Sequence, residues 1–343
     1  MNMLIADARS LFEPQPTGVT EVARQFLEII KELRPETIFL EPRAGRSNSL
    51  TNLALTTRAT TIESLVSAPK NEAHTVFLPN IHFVNTRSNT KVVQLVHDIS
   101  FLDSPWWYSP RVRAWHVAAR AKQNLLRADI LCAVSDFTAQ RLQEELQIPA
   151  HKIFITPPFT PAPIEQKMPQ LPFSPNTTYF LALGTREWRK NSAGILRAFE
   201  IFKKSASYCG EELLFVGRSG YGAPKNAQSI TYCTPEEKWW LLKNARALLY
   251  PSFYEGFGLP PLEAGAVGTP SLIADVTAPK ETMGAAALLV NPYDAREIAL
   301  GIETLATNDK LHAELSARAF ARAAEFSAAK TRASLQKVLE AVG

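Results

Sequence analysis

The sequence predicts an α/β protein made of two doubly wound, Rossmann-like domains that face a central cleft. Short β-branched or apolar runs alternate with longer amphipathic segments, and this alternation is typical of a parallel sheet covered by helices on both faces. The pattern occurs twice, once on each side of a proline-rich segment. With 343 residues, the chain is long enough for two domains of about 150 to 170 residues each.

The predicted strands are apolar runs of four or five residues, a common length for buried parallel strands. In chain order they are Met3–Ala6, Thr75–Leu78, Val92–Val96, Ile130–Val134, Phe180–Leu183, Leu213–Val216, Ala247–Tyr250 and Ser271–Ala274. Amphipathic spacing predicts helices over Thr20–Leu33, Arg111–Leu126, Thr138–Leu146, Ser192–Lys204 and Pro235–Asn244. Beyond Ala306 the chain is rich in alanine, and we expect helix to its end.

The domain boundary is predicted in a segment from Ile155 to Asn176 that contains seven prolines. Proline removes backbone donors and disfavours helix before it, so this segment is expected to be an extended, fairly stiff connector. We predict an N-terminal Rossmann-like domain over 1–160, a linker over 161–176 and a C-terminal Rossmann-like domain over 177–325. A last helix over 326–343 is expected to pack back on the N-terminal domain.

Composition and charge argue against several classes of protein. The net charge of +4 is spread over both halves, so we expect no nucleic-acid partner. The three cysteines lack metal-ligand spacing and predict reduced thiols. The N-terminus does not resemble a signal peptide, and no apolar run approaches the roughly 18 residues that span a bilayer. We expect a cytoplasmic protein, at most peripheral on the inner face of the cytoplasmic membrane.

The segment Y-P-S-F-Y-E-G-F-G-L-P-P-L-E-A-G-A-V-G-T-P, residues 250–270, carries the strongest functional signal. After a predicted strand, Gly256 and Gly258 let a ligand approach the main chain, and the two prolines suit the first turn of a helix. The N-terminus of that helix favours a phosphate. Because Glu255 and Glu263 flank this place, we expect one to bind hydroxyls of a sugar and the other those of a ribose.

The motif E-G-F-G-L-P-P-L-E-A resembles the donor-site motif of the family 4 retaining glycosyltransferases, which have the glycosyltransferase-B fold. Five other segments are similar to segments of that family in the same order. They are T-G-V-T-E-V-A-R-Q-F-L (17–27), V-H-D-I-S-F-L-D-S-P-W-W-Y-S (96–109), A-D-I-L-C-A-V-S-D-F-T (128–138), A-L-G-T-R-E-W-R-K-N (182–191) and A-P-K-E-T-M-G-A-A-A-L-L-V-N-P (278–292). The resemblance implies an acceptor-binding N-terminal domain and a donor-binding C-terminal domain. Thr20-Glu21 departs from the Gly-Arg that is frequent in the family.

A diphosphate leaving group needs positive charge, and the sequence lacks an Asp-x-Asp cluster that would hold a metal. We therefore expect Arg189 and Lys190 to supply the charge, with no metal and no cofactor. The resemblance implies that Glu255 orients the donor sugar, that Glu263 binds the ribose and that His97 reaches the transferred sugar. The predicted catalytic residues are thus His97, Arg189, Lys190 and Glu255.

The other predicted donor-binding residues lie mostly in loops that follow strands. The resemblance implies that main-chain N–H groups of Phe257, Gly258 and Leu259 meet the phosphates. The full set is Gly18, Gly184, Gly217, Tyr232, Thr234, Gly256, Phe257, Gly258, Leu259 and Glu263. Asn191 and Ser135 are interpreted as helix caps.

Retention of configuration is compatible with a covalent carboxylate intermediate or with departure and attack on one face of the sugar. No carboxylate has the sequence context of a nucleophile, which favours the second route.

Residues 106–127 combine four aromatic and five basic side chains with no acid. Such a segment suits an anionic membrane interface, although packing of the aromatic side chains in a core explains it equally well.

These observations favour a retaining, metal-independent hexosyltransferase. Its partners would be a nucleotide-sugar donor, with a weak preference for GDP-mannose or a related GDP-sugar, and a glycan or lipid-linked acceptor in polysaccharide or glycoconjugate biosynthesis. A sugar-nucleotide epimerase or a glycan phosphorylase on the same fold is an alternative, as is a protein that binds a nucleotide sugar without turnover.

Overall fold

The computed structural model describes residues 3–12, 17–41, 61–69, 72–82, 85–184, 188–217 and 227–343. The chain forms two compact units. The first comprises Met1–Phe159 together with Ala328–Gly343, and the second comprises Thr160–Ser327.

The first unit is built on a six-stranded parallel sheet with the order β2-β1-β3-β4-β5-β6. Its strands are β1 (Met3–Asp7), β2 (Ile38–Leu40), β3 (His74–Leu78), β4 (Thr90–Val96), β5 (Ile130–Ala133) and β6 (Ile153–Ile155). Ile5 of β1 lies opposite Ile38 on one side and Val76 on the other. In this sheet β2 lies on one side of β1, whereas β3 to β6 lie on the other side. The order of the strands therefore reverses between β1 and β3.

Most helices of the first unit bury side chains, and several begin at a side-chain cap. They are α1 (Gly18–Leu33), α2 (Ile62–Leu65), α3 (Ser100–Asp103), α4 (Pro110–Ala118), α5 (Ala121–Arg127) and α6 (Asp136–Leu146). Thr17 and Thr20 form a reciprocal capping box at the start of α1. Ser135 caps α6 through Thr138, as the sequence predicts.

The second unit repeats this architecture with the strand order β12-β11-β10-β7-β8-β9, all parallel. The strands are β7 (Tyr179–Leu183), β8 (Glu212–Val216), β9 (Gln228–Ile230), β10 (Ala247–Tyr250), β11 (Ser271–Ala274) and β12 (Leu288–Val290). Here the order reverses between β7 and β10, which are hydrogen-bonded neighbours. Open α/β sheets bind ligands at such a reversal, beyond the carboxyl ends of the strands.

The helices of the second unit enclose a core that is rich in phenylalanine and leucine. They are α7 (Ser192–Phe202), α8 (Pro235–Asn244), α9 (Leu259–Ala266), α10 (Thr277–Met283), α11 (Ala295–Thr307) and α12 (Asp309–Glu325). Gly265 permits close packing of α9 on α12, because a Cβ atom there would lie 2.6 Å from the carbonyl oxygen of Ala319.

The last helix, α13 (Ala328–Val342), belongs to the first unit. It buries Leu335, Val338 and Leu339, and the Thr331 hydroxyl donates to the carbonyl of Pro157 at 2.8 Å.

Two parallel, helix-covered sheets confirm the predicted fold class. The sequence-based assignment missed four strands, β2, β6, β9 and β12, which have only three residues each. It was also wrong to join Arg111–Leu126 into one helix. Arg120 has a left-handed backbone with φ 53°, which ends α4 and starts α5.

Candidate functional site

Two loops leave the carboxyl ends of the neighbouring strands β7 and β10 and form the candidate site of the second unit. The first loop begins at Gly184, whose φ of 119° favours glycine. Its last turn, Trp188–Lys190, leads to Asn191, which caps α7 as predicted. The Asn191 amide also donates to the carbonyls of Pro251 and Pro292, at 3.0 and 2.7 Å. Asn191 therefore fixes the first loop to the second.

Glu255 lies between the two cations of the first loop. Arg189 Nη1 donates to Glu255 Oε2 at 2.8 Å, and Lys190 Nζ donates to Oε1 at 2.6 Å. Lys190 also donates to the hydroxyl of Tyr250 at 2.8 Å. Glu255 is only 6% exposed, so each carboxylate oxygen meets a cation away from bulk water. The cluster carries one net positive charge in a nearly buried setting.

The acidity of Glu255 follows from these contacts. Burial raises the pKa of the carboxyl group, but the charges of Lys190 and Arg189 outweigh burial and lower it from 4.5 to about 2. Burial, with the charge of Glu255, also raises the pKa of Tyr250 well above its ordinary value. At neutral pH, Glu255 is therefore ionised and the Tyr250 hydroxyl keeps its proton.

The second loop ends at the N-terminus of α9, where Gly258 is the cap with φ 96°. A side chain at Gly258 would approach Pro279 to 3.1 Å. Pro260 and Pro261 have no N–H, so the first turn of α9 can offer main-chain donors only from Leu259 and the residues before it. No hydrogen bond within the described part of the chain uses the N–H groups of Phe257, Gly258 or Leu259.

The second loop is also held by α10, which the sequence analysis did not include in the site. The N–H of Glu255 donates to Thr277 Oγ1 at 3.3 Å, and the Thr282 hydroxyl donates to the carbonyl of Phe257 at 3.0 Å. Thr277 has φ 59°, an unfavourable conformation for a β-branched residue. A loop held in this way keeps Gly256 buried and Glu255 aligned with its two cations.

Glu263 occupies the inner face of α9 and is 3% exposed. Lys238 of α8 donates to its Oε1 at 2.6 Å. A carboxylate can stay ionised in a buried position when it is paired with a cation and hydrogen-bonded. Lys238 provides both for Glu263. Neither the sequence pattern nor the motif pointed to Lys238.

Three predicted donor-binding residues follow β8 and β9. Gly217 directly follows β8 and has φ 138°, and its N–H donates to the carbonyl of Ile230 at 3.0 Å. Tyr232 is 62% exposed. The Thr234 side chain caps α8 through Glu237, so helix capping accounts for this residue. Contact of the three residues with a nucleotide stays a prediction.

Two other predicted residues, His97 and Gly18, lie in the first unit. His97 Nε2 donates to the carbonyl of Pro79 at 2.8 Å. Burial lowers the pKa of this half-buried ring, although the hydrogen bond to Pro79 and the charge of Asp98 act in the opposite direction. The ring is therefore neutral, with an unprotonated Nδ1. Gly18 starts α1, and a Cβ there would have no atom within 4 Å, so packing does not require glycine.

The structure thus brings Gly184, Arg189, Lys190 and Glu255 together with the N-terminus of α9. It adds Tyr250 and Thr277, which the sequence analysis missed; Tyr250 could have been noticed as a hydroxyl at the carboxyl end of a strand. Among the described residues, no group of three His, Cys, Asp or Glu side chains could hold a metal ion.

The segment 106–127 has an unusual exposure in the first unit. None of the nine residues of α4 is buried, and Val117 is 78% exposed. Trp106, before α4, is 70% exposed. Within α4, His116 stacks on Phe101 with ring centroids 4.6 Å apart. Nowhere in the described ranges is a helix both long and apolar enough to cross a membrane.

Two parallel six-stranded sheets covered by helices make up the GT-B fold, which this chain shares with solved structures. Residues 163–322 match the family model of group 1 glycosyl transferases. The chain is 31% identical over 260 residues to the O-antigen chain mannosyltransferase B of Escherichia coli, covering 69% of this chain and 67% of that protein. The chain belongs to the group 1 glycosyltransferases.

Other relatives are similar to this chain in sequence, and solved structures are similar to it in fold. Serotype-specific mannosyltransferase WbdA of Escherichia coli is 26% identical over 267 residues, which are 70% of this chain and 32% of that protein. Sucrose-phosphate synthase from Thermosynechococcus elongatus has a TM-score of 0.75 at 15% identity, covering 100% and 99% of the two chains. Anabaena HepE, solved with UDP and glucose, has a TM-score of 0.70 at 14% identity, covering 99% and 100%.

The lowered pKa of Glu255 gives a test of the ion-pair cluster. A carboxyl group whose pKa is lowered by folding stabilises the fold above its ordinary value of 4.5, and this stabilisation is lost as the pH falls toward about 2. We expect Glu255→Gln to melt at a lower temperature than the wild type, with a constant difference between pH 8 and 5.5. Below about pH 4.5 the difference should shrink.

Thermal melting followed by circular dichroism measures this difference. Glu200→Gln, which removes the partly exposed partner of Lys203 at the end of α7, is the matched control and should show little difference at any pH. A Glu255→Gln difference that grows below pH 4.5 would contradict the assigned ion pairs.

Proposed function

We propose that this chain is a retaining, metal-independent mannosyltransferase. It transfers a hexose from GDP-mannose or a related GDP-sugar to a glycan or lipid-linked acceptor during synthesis of an O-antigen-type polysaccharide. The observation that carries the proposal is the cluster of Arg189, Lys190 and Glu255 beside the N-terminus of α9. The mannosyltransferases of O-antigen synthesis among the relatives support mannose as the sugar.

Stabilisation of the leaving diphosphate is the main task that this cluster suits. Arg189 offers a planar fork of donors and Lys190 a compact cation. Both are already ordered by Glu255 and Tyr250, so little reorganisation is needed when negative charge develops. The N–H groups of Phe257, Gly258 and Leu259 add dipoles at the helix start. These groups supply the positive charge that a bound metal supplies in other transferases.

The state of Glu255 favours transfer on one face of the sugar. A carboxylate with a pKa of about 2 that is bound by two cations is a weak nucleophile and a weak base. We therefore assign it no covalent intermediate. The bond from the anomeric carbon to the phosphate oxygen breaks, and the diphosphate takes the electron pair. The acceptor hydroxyl oxygen then bonds to the anomeric carbon on the same face, and its proton passes to the leaving phosphate oxygen.

Glu263 is assigned to the ribose hydroxyls of the donor. Its carboxylate is buried on α9 and oriented by Lys238, and an ionised carboxylate accepts hydrogen bonds from neighbouring hydroxyl groups. Glu255 contacts the donor sugar in this proposal, together with His97.

An assay with and without a chelator tests both the activity and its metal independence. With GDP-mannose and an α-mannoside acceptor, we expect the rate of transfer in excess EDTA to stay within about twofold of the untreated rate. Arg189→Gln should lower the rate roughly a hundredfold, in line with loss of one transition-state donor, and Mg²⁺ should not restore it. Arg197→Gln, an exposed position on α7, is the matched control.

Loss of transfer in EDTA that Mg²⁺ or Mn²⁺ restores would overturn metal independence. Tight binding of nucleotide sugar with neither transfer nor hydrolysis would favour a binding protein. A panel of UDP-, GDP- and ADP-sugars in the same assay identifies the donor.

We further propose that the segment 106–127 contacts an anionic membrane surface from the cytoplasmic side. The exposed α4 carries Arg111, Arg113 and Trp115, and the segment has no acidic residue to repel anionic lipid headgroups. Aromatic and basic side chains on an exposed helix suit the interface of such a membrane.

Sedimentation with vesicles tests this contact. We expect binding to vesicles of phosphatidylglycerol and phosphatidylcholine at low salt, little binding to phosphatidylcholine alone, and release at about 0.5 M salt, where charges are screened. Exchange of Trp106 and Trp115 for alanine should abolish binding, whereas Tyr293→Ala, at an exposed aromatic residue of the second unit, should not. Equal recovery with neutral and anionic vesicles would rule out the electrostatic contact.

A further inference from the structure

A buried ionic cluster lies at the carboxyl end of β1, outside the site described above. Asp7, the last residue of β1, is fully buried, and Arg9 is almost so. The Arg9 side chain donates to both carboxylate oxygens of Asp7, from Nε to Oδ1 at 2.8 Å and from Nη2 to Oδ2 at 2.7 Å. This bidentate pair is strong and cancels its own charge.

The third member of the cluster is His82, which follows β3. Its Nδ1 lies 2.9 Å from Asp7 Oδ2. Burial raises the pKa of Asp7, but His82 and Arg9 together lower it well below its ordinary value, so the carboxylate is ionised and can only accept hydrogen bonds. His82 Nδ1 must therefore carry the proton. The other ring nitrogen, Nε2, is not used by Asp7.

The outer edge of His82 reaches the surface. Its side chain is 17% exposed, and Nε2 has no hydrogen-bond partner among the residues that the structure describes. Asp7 thus holds Nδ1 of His82 from inside the unit, and the ring remains partly exposed.

The loop that carries His82 is fixed by polar contacts from β4 and the residue that follows it. The Gln94 amide donates to the carbonyls of Leu78 and Asn80, at 3.0 and 3.2 Å. His97 donates to the intervening carbonyl of Pro79 at 2.8 Å. Such a loop needs little ordering when a ligand binds, which is a property of preorganised sites.

The position of the cluster in the sheet also indicates a ligand site. The strand order of the first unit reverses between β1 and β3, and Asp7 and His82 follow these two strands. In the second unit, Arg189, Lys190 and Glu255 occupy the equivalent reversal between β7 and β10. Ligands bind at such reversals in open α/β sheets.

We propose that His82 binds a hydroxyl group of the acceptor sugar through Nε2, and that Asp7 and Arg9 position it. The proposal rests on the proposed transferase function. An imidazole nitrogen hydrogen-bonds well to an alcohol hydroxyl, and the Asp7–Arg9 pair cancels its own charge, so the cluster suits a sugar hydroxyl better than a diphosphate. The first unit thereby contributes a side chain for acceptor recognition that the sequence motifs do not include.

Steady-state transfer with GDP-mannose and an α-mannoside carrying a hydrophobic aglycone tests this proposal. For His82→Ala we expect the acceptor KM to rise about tenfold, which corresponds to one lost hydrogen bond to a neutral group. The kcat at saturating acceptor, the donor KM and the affinity for GDP by calorimetry should stay within twofold. His151→Ala, an exposed histidine of the same unit, is the matched control and should change none of them.

An unchanged acceptor KM in His82→Ala would overturn the proposal. A parallel loss of GDP affinity would also overturn it, because His82 would then serve the nucleotide. Absence of transfer by the wild type would instead count against the proposed function.

Nuclear magnetic resonance of the wild type labelled with ¹⁵N-histidine gives a second test. This test depends neither on correct folding of a variant nor on turnover. The chain has only six histidines, so their ring signals can be assigned. We expect His82 to show the tautomer with a proton on Nδ1, and its Nε2 signal to shift when the α-mannoside is added to the protein with GDP. A ring whose only proton lies on Nε2, or a signal that the mannoside leaves in place, would contradict the proposal.

Discussion

The candidate donor site depends on one buried carboxylate that holds two cations. Glu255 accepts from Arg189 and Lys190 at 2.8 and 2.6 Å, and without it the two positive charges would repel each other in a nearly buried setting. The carboxylate also fixes the direction in which the two side chains point. A site that must stabilise a developing diphosphate benefits from such order, since reorganisation during the reaction would oppose catalysis.

Backbone architecture brings these groups together. Parallel pairing of β7 with β10 places their carboxyl ends side by side, so one loop supplies the cations and the other the carboxylate. Asn191 joins the loops through the carbonyls of Pro251 and Pro292, and Thr277 holds the N–H of Glu255. The same principle operates in the first unit, where the ends of β1 and β3 join Asp7 to His82.

Local sequence signals predicted the fold class, the caps at Ser135 and Asn191, and the helix start after Gly258, because each depends on a few neighbouring residues. They could not predict that Glu255 pairs with Arg189, 66 residues away, or that Lys238 pairs with Glu263, since these contacts arise from strand order and helix packing. Short edge strands such as β2 and β9 were missed because three residues carry too little periodicity. The family resemblance implied that Glu255 contacts the donor sugar. The structure shows, in addition, that its carboxylate pairs with Arg189 and Lys190.

Calorimetry of GDP binding to Glu255→Gln and Glu263→Gln tests most directly whether Glu255 is the counter-ion of the phosphate-binding cations. Removing the charge of Glu255 takes away a competitor for Arg189 and Lys190, so GDP affinity should stay equal or increase. Glu263→Gln should lower GDP affinity about ten- to a hundredfold, or roughly 1.5 to 3 kcal/mol, since a charged acceptor for the ribose is lost. Equal weakening of GDP binding by both substitutions would contradict this account of the site.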